Sequence, residues 1–201
     1  MATIALILFA VFALLGFGWR SWRQYRRTGS SGFKGISGRV GSVEWFAGVG
    51  FILALVIAVA APVLQDLGAI APLPVLDNVV VNAVGILVAL SGITATIYAQ
   101  VHMGDSWRIG VDAAETTTLV RTGVFGAVRN PIFTAMLVFG LGIALVTPNV
   151  VAITGIVLLA LTIELQVRYV EEPYLLSTHG EDYREYAAAV GRFVPGVGLS
   201  P

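Results

Sequence analysis

The chain has 201 residues, 57% hydrophobic and only 12% charged, with twelve basic against twelve acidic side chains and a mean hydropathy of +0.85. A soluble domain carries about 25% charged residues, so this is the composition of an integral membrane protein. The absence of cysteine excludes disulfides, thiolate nucleophiles and cysteine metal sites, and His102 and His179 stand without HExxH or paired spacing, which argues against a metal centre.

The first apolar stretch, residues 2–18, has no basic residue before it and no small-residue cleavage site after it. It reads as a retained membrane helix rather than a signal peptide. A basic loop over 20–42 follows, with Arg20, Arg23, Arg26, Arg27, Lys34 and Arg39. It is a topology signal with a Gly/Ser-rich segment behind it, or a site for anionic lipid headgroups. The second stretch, 45–61, is expected to stop at Pro62. The third, 79–101, is long enough to cross a hydrocarbon core of about 30 Å with tilt. Its Gly85, Ala89, Gly92 and Thr96 form a small-residue stripe suited to close helix packing.

A polar segment over 103–131 leads into the last apolar region, from Ile132 to about Val167, which Thr147-Pro148-Asn149 interrupts. Each half is short for a full span, and Pro148-Asn149 suits a tight reversal, so a helical hairpin over 131–168 is expected rather than one kinked helix. The fold class is therefore all-α, with five transmembrane helices, the last two a hairpin. Under this arrangement all twelve basic residues fall on one side, and residues 62–78 on the other carry none. The positive-inside rule makes the basic side cytoplasmic, with the N-terminus outside and the C-terminus inside a multi-pass cell-membrane protein. Residues 1–102 then hold three helices, and 103–201 hold the loop, the hairpin and the tail.

Charged residues within or beside a membrane helix usually have a reason. At 100° per residue, Glu164, Arg168, Glu171 and Leu175 share one stripe, with Glu172 on its flank. Glu164 and Arg168 are an acid-to-base i,i+4 pair expected to bond, and the stripe is expected to face other helices or a polar cavity. Beyond it, residues 177–195 place Tyr183, Tyr186, Ala187 and Val190 at helical spacing, which predicts an amphipathic C-terminal helix on the cytoplasmic ends of the bundle. No Rossmann fingerprint, P-loop or serine-nucleophile elbow is present.

The order M-G-x-S-W-R, L-V-x-x-G-V-F-x-x-V-R-N-P, a hairpin, E-x-x-x-R-x-x-E-E-x-x-L, H-G-x-x-Y-x-x-Y and R-F-x-P, over roughly residues 103–195, resembles the isoprenylcysteine carboxyl methyltransferase family. That family is related to phospholipid N-methyltransferases and, more distantly, to sterol reductases. The resemblance implies S-adenosylmethionine as cofactor, held between hairpin, preceding loop and tail, and a lipophilic acceptor entering from the bilayer. It implies a cofactor-facing set of Gly123, Val128, Arg129, Asn130, Pro131, Phe133, Glu171, Tyr183, Tyr186 and Arg192. Glu171, with Glu172 next to it, would orient the cofactor or a cationic group of the acceptor, and for an amine acceptor Glu171 or Glu172 is a candidate general base. Arg129 or Arg168 would position the acceptor or lock Glu171. Eukaryotic members have His-Pro and a following Tyr where this chain has Asn130-Pro131 and Phe133, and often Phe-Gly at His179-Gly180. The acceptor therefore stays open among carboxylates, amines and thiols, with no nucleic acid or metal expected as partner. A non-catalytic scaffold or lipid-binding protein and an NADPH-dependent reductase are the competing readings.

Overall fold

Asparagine and serine cap the starts of three helices. Ser42, Asn78 and Asn149 each accept a hydrogen bond from the backbone N–H three residues on, at 3.3, 3.0 and 2.9 Å, satisfying a donor that the first helical turn would otherwise leave unpaired. In the computed structural model, which describes residues 1–32, 35–36, 38–104, 107 and 118–200, six helices result. They are α1 (Ala2–Thr28), α2 (Val43–Asp66), α3 (Val79–Met103), α4 (Pro131–Val146), α5 (Val150–His179) and α6 (Glu181–Ala189). Among the described residues there is no strand, only isolated bridges such as Val128 with Gly191.

Helices α1, α2, α3 and α5 are long and apolar enough to cross a membrane, whereas α4 is apolar but has only 16 residues. Only 22% to 33% of each long apolar window is buried inside the protein, so most of these side chains face outward, which hydrocarbon favours and water does not. The fold is thus that of a multi-pass membrane protein. Its main core joins Leu8 and Phe12 of α1, Ala89 and Ile93 of α3, and Met136, Phe139 and Ile143 of α4. The rings of Phe12 and Phe139 stack at 4.1 Å.

The small-residue stripe of α3 does what its composition suggests. A Cβ added at Gly92 would stand 2.5 Å from the backbone nitrogen of Phe139, and one at Gly142 of α4 would stand 2.3 Å from that of Ala89. The two backbones touch, and neither can retreat without moving a whole helix. Gly142→Val is therefore expected to destabilise the protein by about 3 kcal/mol, read as a lower unfolding temperature in detergent.

The hairpin forms at the predicted reversal. Thr147, Pro148 and Asn149 are fully buried; the Asn149 amide donates to the Ala61 carbonyl at 3.2 Å and to Gln65 Oε1 at 2.8 Å, and Leu73 donates its N–H to the Pro148 carbonyl at 2.7 Å. The corner joining α4 to α5 is locked against the end of α2.

Four local expectations change. The basic segment after Trp19 is not loop at its start: α1 continues to Thr28, stopping where Gly29 takes φ +75°. Inside α1, residues Ala13–Trp19 form a π segment, and the Gly16 carbonyl accepts from Gln100 Nε2 at 2.8 Å. Pro62 does not end α2, which runs a further turn to Asp66; a proline near a helix end removes one backbone bond but need not stop the turn already begun. The tail helix does not run over 177–195, because Gly180, at φ +54° and ψ −121°, separates the end of α5 from α6, which closes at Ala189.

The fifth helix holds the most consequential departure. Val167–Glu171 is a π turn. Such a turn fits more than four residues into one revolution, so everything after it is rotated back by a large part of one residue's 100°. Glu172, predicted for the flank, thereby takes the place on the stripe predicted for Glu171.

Candidate active site

The RNP corner is held by its own backbone to the chain's end. Arg129 donates its N–H to the Gly191 carbonyl at 2.8 Å, and Asn130 donates to the Arg192 carbonyl at 3.1 Å; the Asn130 side-chain amide reaches the same carbonyl at 3.2 Å. One turn into α4, Thr134 Oγ1 donates to the Phe193 carbonyl at 2.9 Å. Pro131 opens α4 at a position where a missing N–H costs nothing.

The Arg129 side chain completes this clamp. Its Nη1 donates to the Ala187 carbonyl at 2.7 Å and to that of Val190, and its Nη2 donates to the Gly198 carbonyl at 3.0 Å and to Glu172 Oε1 at 2.9 Å. Arg192 approaches Glu172 from the other side, with Nε 2.7 Å from Oε1 and Nη2 3.0 Å from Oε2. Two arginines thus share one largely buried carboxylate, an arrangement stabilised by geometry rather than by charge alone. The hydrogen bond to Glu172, with the Glu172 charge adding to it, pushes the Arg192 guanidinium pKa above its usual value against the opposing effect of burial. Arg192 Nη1 also lies 3.8 Å from Glu164, and Glu164 accepts from Arg168 as the spacing predicts. That pair is not enclosed by helices: Arg168 is half-exposed, so the stripe leads outward to the surface at its Glu164 end.

Above the clamp sits α6. Tyr183, Tyr186 and Ala187 are buried, packed against Leu119, Leu175 and Val190, and the Tyr186 hydroxyl donates to the Phe125 carbonyl at 2.6 Å. Burial raises the hydroxyl pKa of Tyr186 to about 12. Burial also raises that of Tyr183, with the Glu172 charge adding to the effect. Both are neutral at physiological pH, and Tyr186 serves as a hydrogen-bond donor rather than a base. A raised folded-state value means that their stabilising contribution is complete below about pH 10, the unfolded value, and for Tyr186 is lost as pH rises through about 12. Tyr186→Phe is expected to cost about 1 kcal/mol at neutral pH and to weaken the alkaline loss of stability, read from unfolding temperatures against pH.

These elements enclose a cavity of about 640 Å³, within the roughly 300–1,000 Å³ of ligand pockets. Of the residues predicted for the site, Arg129, Asn130, Pro131, Phe133, Glu171, Glu172, Tyr183 and Tyr186 line it. The others stand apart from the lining. Gly123 sits in a 3₁₀ turn at φ +62°, where a Cβ would meet the His102 ring at 2.9 Å, and Val128 is buried beside Gly191. Arg168 faces outward, and Arg192 acts through Glu172.

The opposite wall was not foreseen. Phe17 and Ser21 of α1, with Phe51, Ile52 and Leu55 of α2, bring the first two helices into the site. Gln100 and Trp107 also line it. Gln100 is 1% exposed, and a buried amide near the end of an apolar helix was a signal the sequence already carried. Trp107 belongs to the M-G-x-S-W-R motif; other members of the 103–131 segment, including Arg108, lie outside the described residues. Among the described residues no group of three or more His, Asp or Glu side chains could hold a metal ion.

Residues 79–182 match the family model of phospholipid methyltransferases, more than half of the 201-residue chain. The chain belongs to the phospholipid methyltransferase family. The matched region runs from the start of α3 into α6 and contains the RNP corner and both cavity carboxylates. Among solved structures, the chain is similar in fold to a eukaryotic intramembrane Ras methyltransferase, isoprenylcysteine carboxyl methyltransferase. The TM-score is 0.55 at 18% identity, covering 79% of this chain and 53% of that one. This chain therefore spans about half the length of that protein. No curated protein matches it by sequence.

Proposed function

We propose that this family member is an S-adenosylmethionine-dependent methyltransferase acting on a lipophilic acceptor, a carboxylate, amine or thiol, at the cytoplasmic face of the membrane. The observation that carries this reading is the composition of one cavity. Its polar side comes from Asn130, Glu171, Glu172 and the tyrosines, and its apolar side from Phe17, Phe51, Ile52 and Leu55. A soluble, charged cofactor and an apolar acceptor need both sides. The fit is supported by the Glu171 carboxylate in the lining, suited to a cationic group, and by the buried Arg129 Nε, which has no hydrogen-bond partner among the described residues.

S-adenosylmethionine, when bound, supplies a methyl group carried on a sulfonium. The chain's own task is then alignment and exclusion of water, since holding reactants at near-attack geometry is worth about 7–11 kcal/mol. Glu171 lines the cavity and Glu172 bonds Arg129 and Arg192; we assign Glu171 to the cationic centre and Glu172 to holding the clamp. With an amine acceptor, Glu171 also serves as the proton acceptor. Phe133 and Met136 on α4, facing Phe51 and Leu55 on α2, line the apolar side against water. The same reading takes α4 and α5 as a hairpin completing five spans, with all twelve basic residues on the cytoplasmic side, the N-terminus outside and α6 lying at the cytoplasmic ends of the bundle.

The test is binding in detergent of S-adenosylmethionine, S-adenosylhomocysteine and NADPH to the full chain. The first two are expected to bind and the third not. Binding of NADPH alone would establish a reductase, and binding of none would leave a scaffold. Mass spectrometry of a lipid extract incubated with the protein and methyl-labelled cofactor then names the acceptor.

A further inference from the structure

The emergent end of α1 carries a surface that the cavity does not use. The first 43 residues hold six basic side chains and not one carboxylate. The part of this segment up to Thr28 is helix, continuous with the membrane-crossing part of α1, so its arginines stand at fixed spacing. Two faces separate. Arg20 and Gln24 are buried, and Arg20 donates to the Gly104 carbonyl while lying 4.7 Å over the Trp107 ring. This inner face belongs to the fold.

Outward lie Trp22 and Tyr25, 59% and 60% exposed, with Trp19 beside them. The Arg23 guanidinium sits 5.4 Å over the Trp19 ring, and that of Arg26 sits 5.8 Å over the Trp22 ring. Neither Arg23 nor Arg26 has a carboxylate partner among the described residues. Large aromatic rings exposed on a charged helix are unfavourable in water, but they match the boundary between headgroups and acyl chains. Arginine stacked on such a ring keeps its planar fork of donors free for phosphate oxygens.

We propose that this outer face binds the phosphate of an anionic phospholipid in the leaflet on the basic side of the membrane. Charge complementarity selects an anion. The exposed rings, on a helix rising directly from the bilayer, select a lipid over a soluble phosphate.

The test uses the full chain, delipidated in neutral detergent, and native mass spectrometry with phosphatidylglycerol and phosphatidylcholine. Phosphatidylglycerol is expected to bind more tightly, to weaken as salt rises from about 0.05 M to about 0.5 M, and to resist inorganic phosphate. The double variant Arg23→Gln/Arg26→Gln is expected to lose phosphatidylglycerol affinity by about twenty-five-fold, about fivefold per arginine, with phosphatidylcholine unchanged. Arg20, Arg27, Lys34 and Arg39 remain to hold orientation, and accessibility of a Thr28→Cys label in this cysteine-free chain checks it. Equal affinity of the wild type for both lipids would reduce the arginines to a topology signal and overturn the proposal without any variant. So would unchanged phosphatidylglycerol binding in the double variant, or displacement by inorganic phosphate.

Discussion

Arg129→Met is expected to release the C-terminal tail and lower stability by about 3–5 kcal/mol. The Arg129 side chain is almost fully buried and bonds the carbonyls of Ala187, Val190 and Gly198 as well as Glu172. Each buried acceptor left unpaired costs about 1–3 kcal/mol. Glu172 would keep Arg192, so the larger part of the loss falls on the carbonyls rather than on the ion pair. Hydrogen exchange and limited proteolysis over 187–200, beside the unfolding temperature in detergent, read the effect. Arg129→Lys is expected to fall between the two, because an ammonium keeps the charge opposite Glu172 but cannot span three carbonyls in one plane. Unchanged protection of the tail in the methionine variant would disprove the clamp.

Glu171→Gln is expected to reduce methyl transfer by about a hundredfold or more, the lower end of what a positioned acid–base or charged group contributes, with little change in stability. Glu172→Gln is expected to do the reverse in emphasis. It leaves Arg129 and Arg192 facing a neutral amide, and breaking a buried pair by removing one partner costs about 3–5 kcal/mol. The two adjacent carboxylates, both in the cavity lining, are thus expected to differ in role. Turnover with labelled cofactor and unfolding temperature, measured on both variants, check the division. A fully active Glu171→Gln protein would remove Glu171 from the site, and a destabilised one would merge the two roles.

Much of this arrangement is legible in the residues because it depends on local chemistry. Pro148-Asn149 marks the reversal, Gly85, Ala89 and Gly92 mark the contact face of α3, and Glu164 with Arg168 marks an i,i+4 pair, all of which the fold contains. The spacing of Tyr183, Tyr186 and Ala187 marks the buried face of α6. What escaped depends on geometry that hydrophobic spacing does not encode. A π turn leaves the same residue types in the same order yet rotates every later side chain about the helix axis, so 100° arithmetic chose Glu171 over Glu172 for the stripe. The bonds of Arg129 to the chain's own tail and of Arg192 to Glu172 escaped because an arginine beside a carboxylate motif carries the same signature whatever it binds. Three of Arg129's carbonyl partners lie 58 to 69 residues away. The apolar wall from α1 and α2 was hidden for a related reason: in a membrane helix, residues facing lipid and residues facing a cavity have the same composition.

At 16 residues, α4 reaches about 24 Å along its axis, roughly 6 Å less than an average hydrocarbon core. Its far end cannot be extended, because Thr147, Pro148 and Asn149 are locked against the end of α2. For a spanning hairpin the shortfall therefore falls at the near end, where Asn130 and Pro131 open onto the cavity. On the proposed function, a bilayer thinned to match that shortfall would bring the headgroup of a lipophilic acceptor beside that corner closer to the cavity without its leaving the leaflet. Membrane thickness would then be a physical variable of the proposed reaction, alongside the concentrations of cofactor and acceptor.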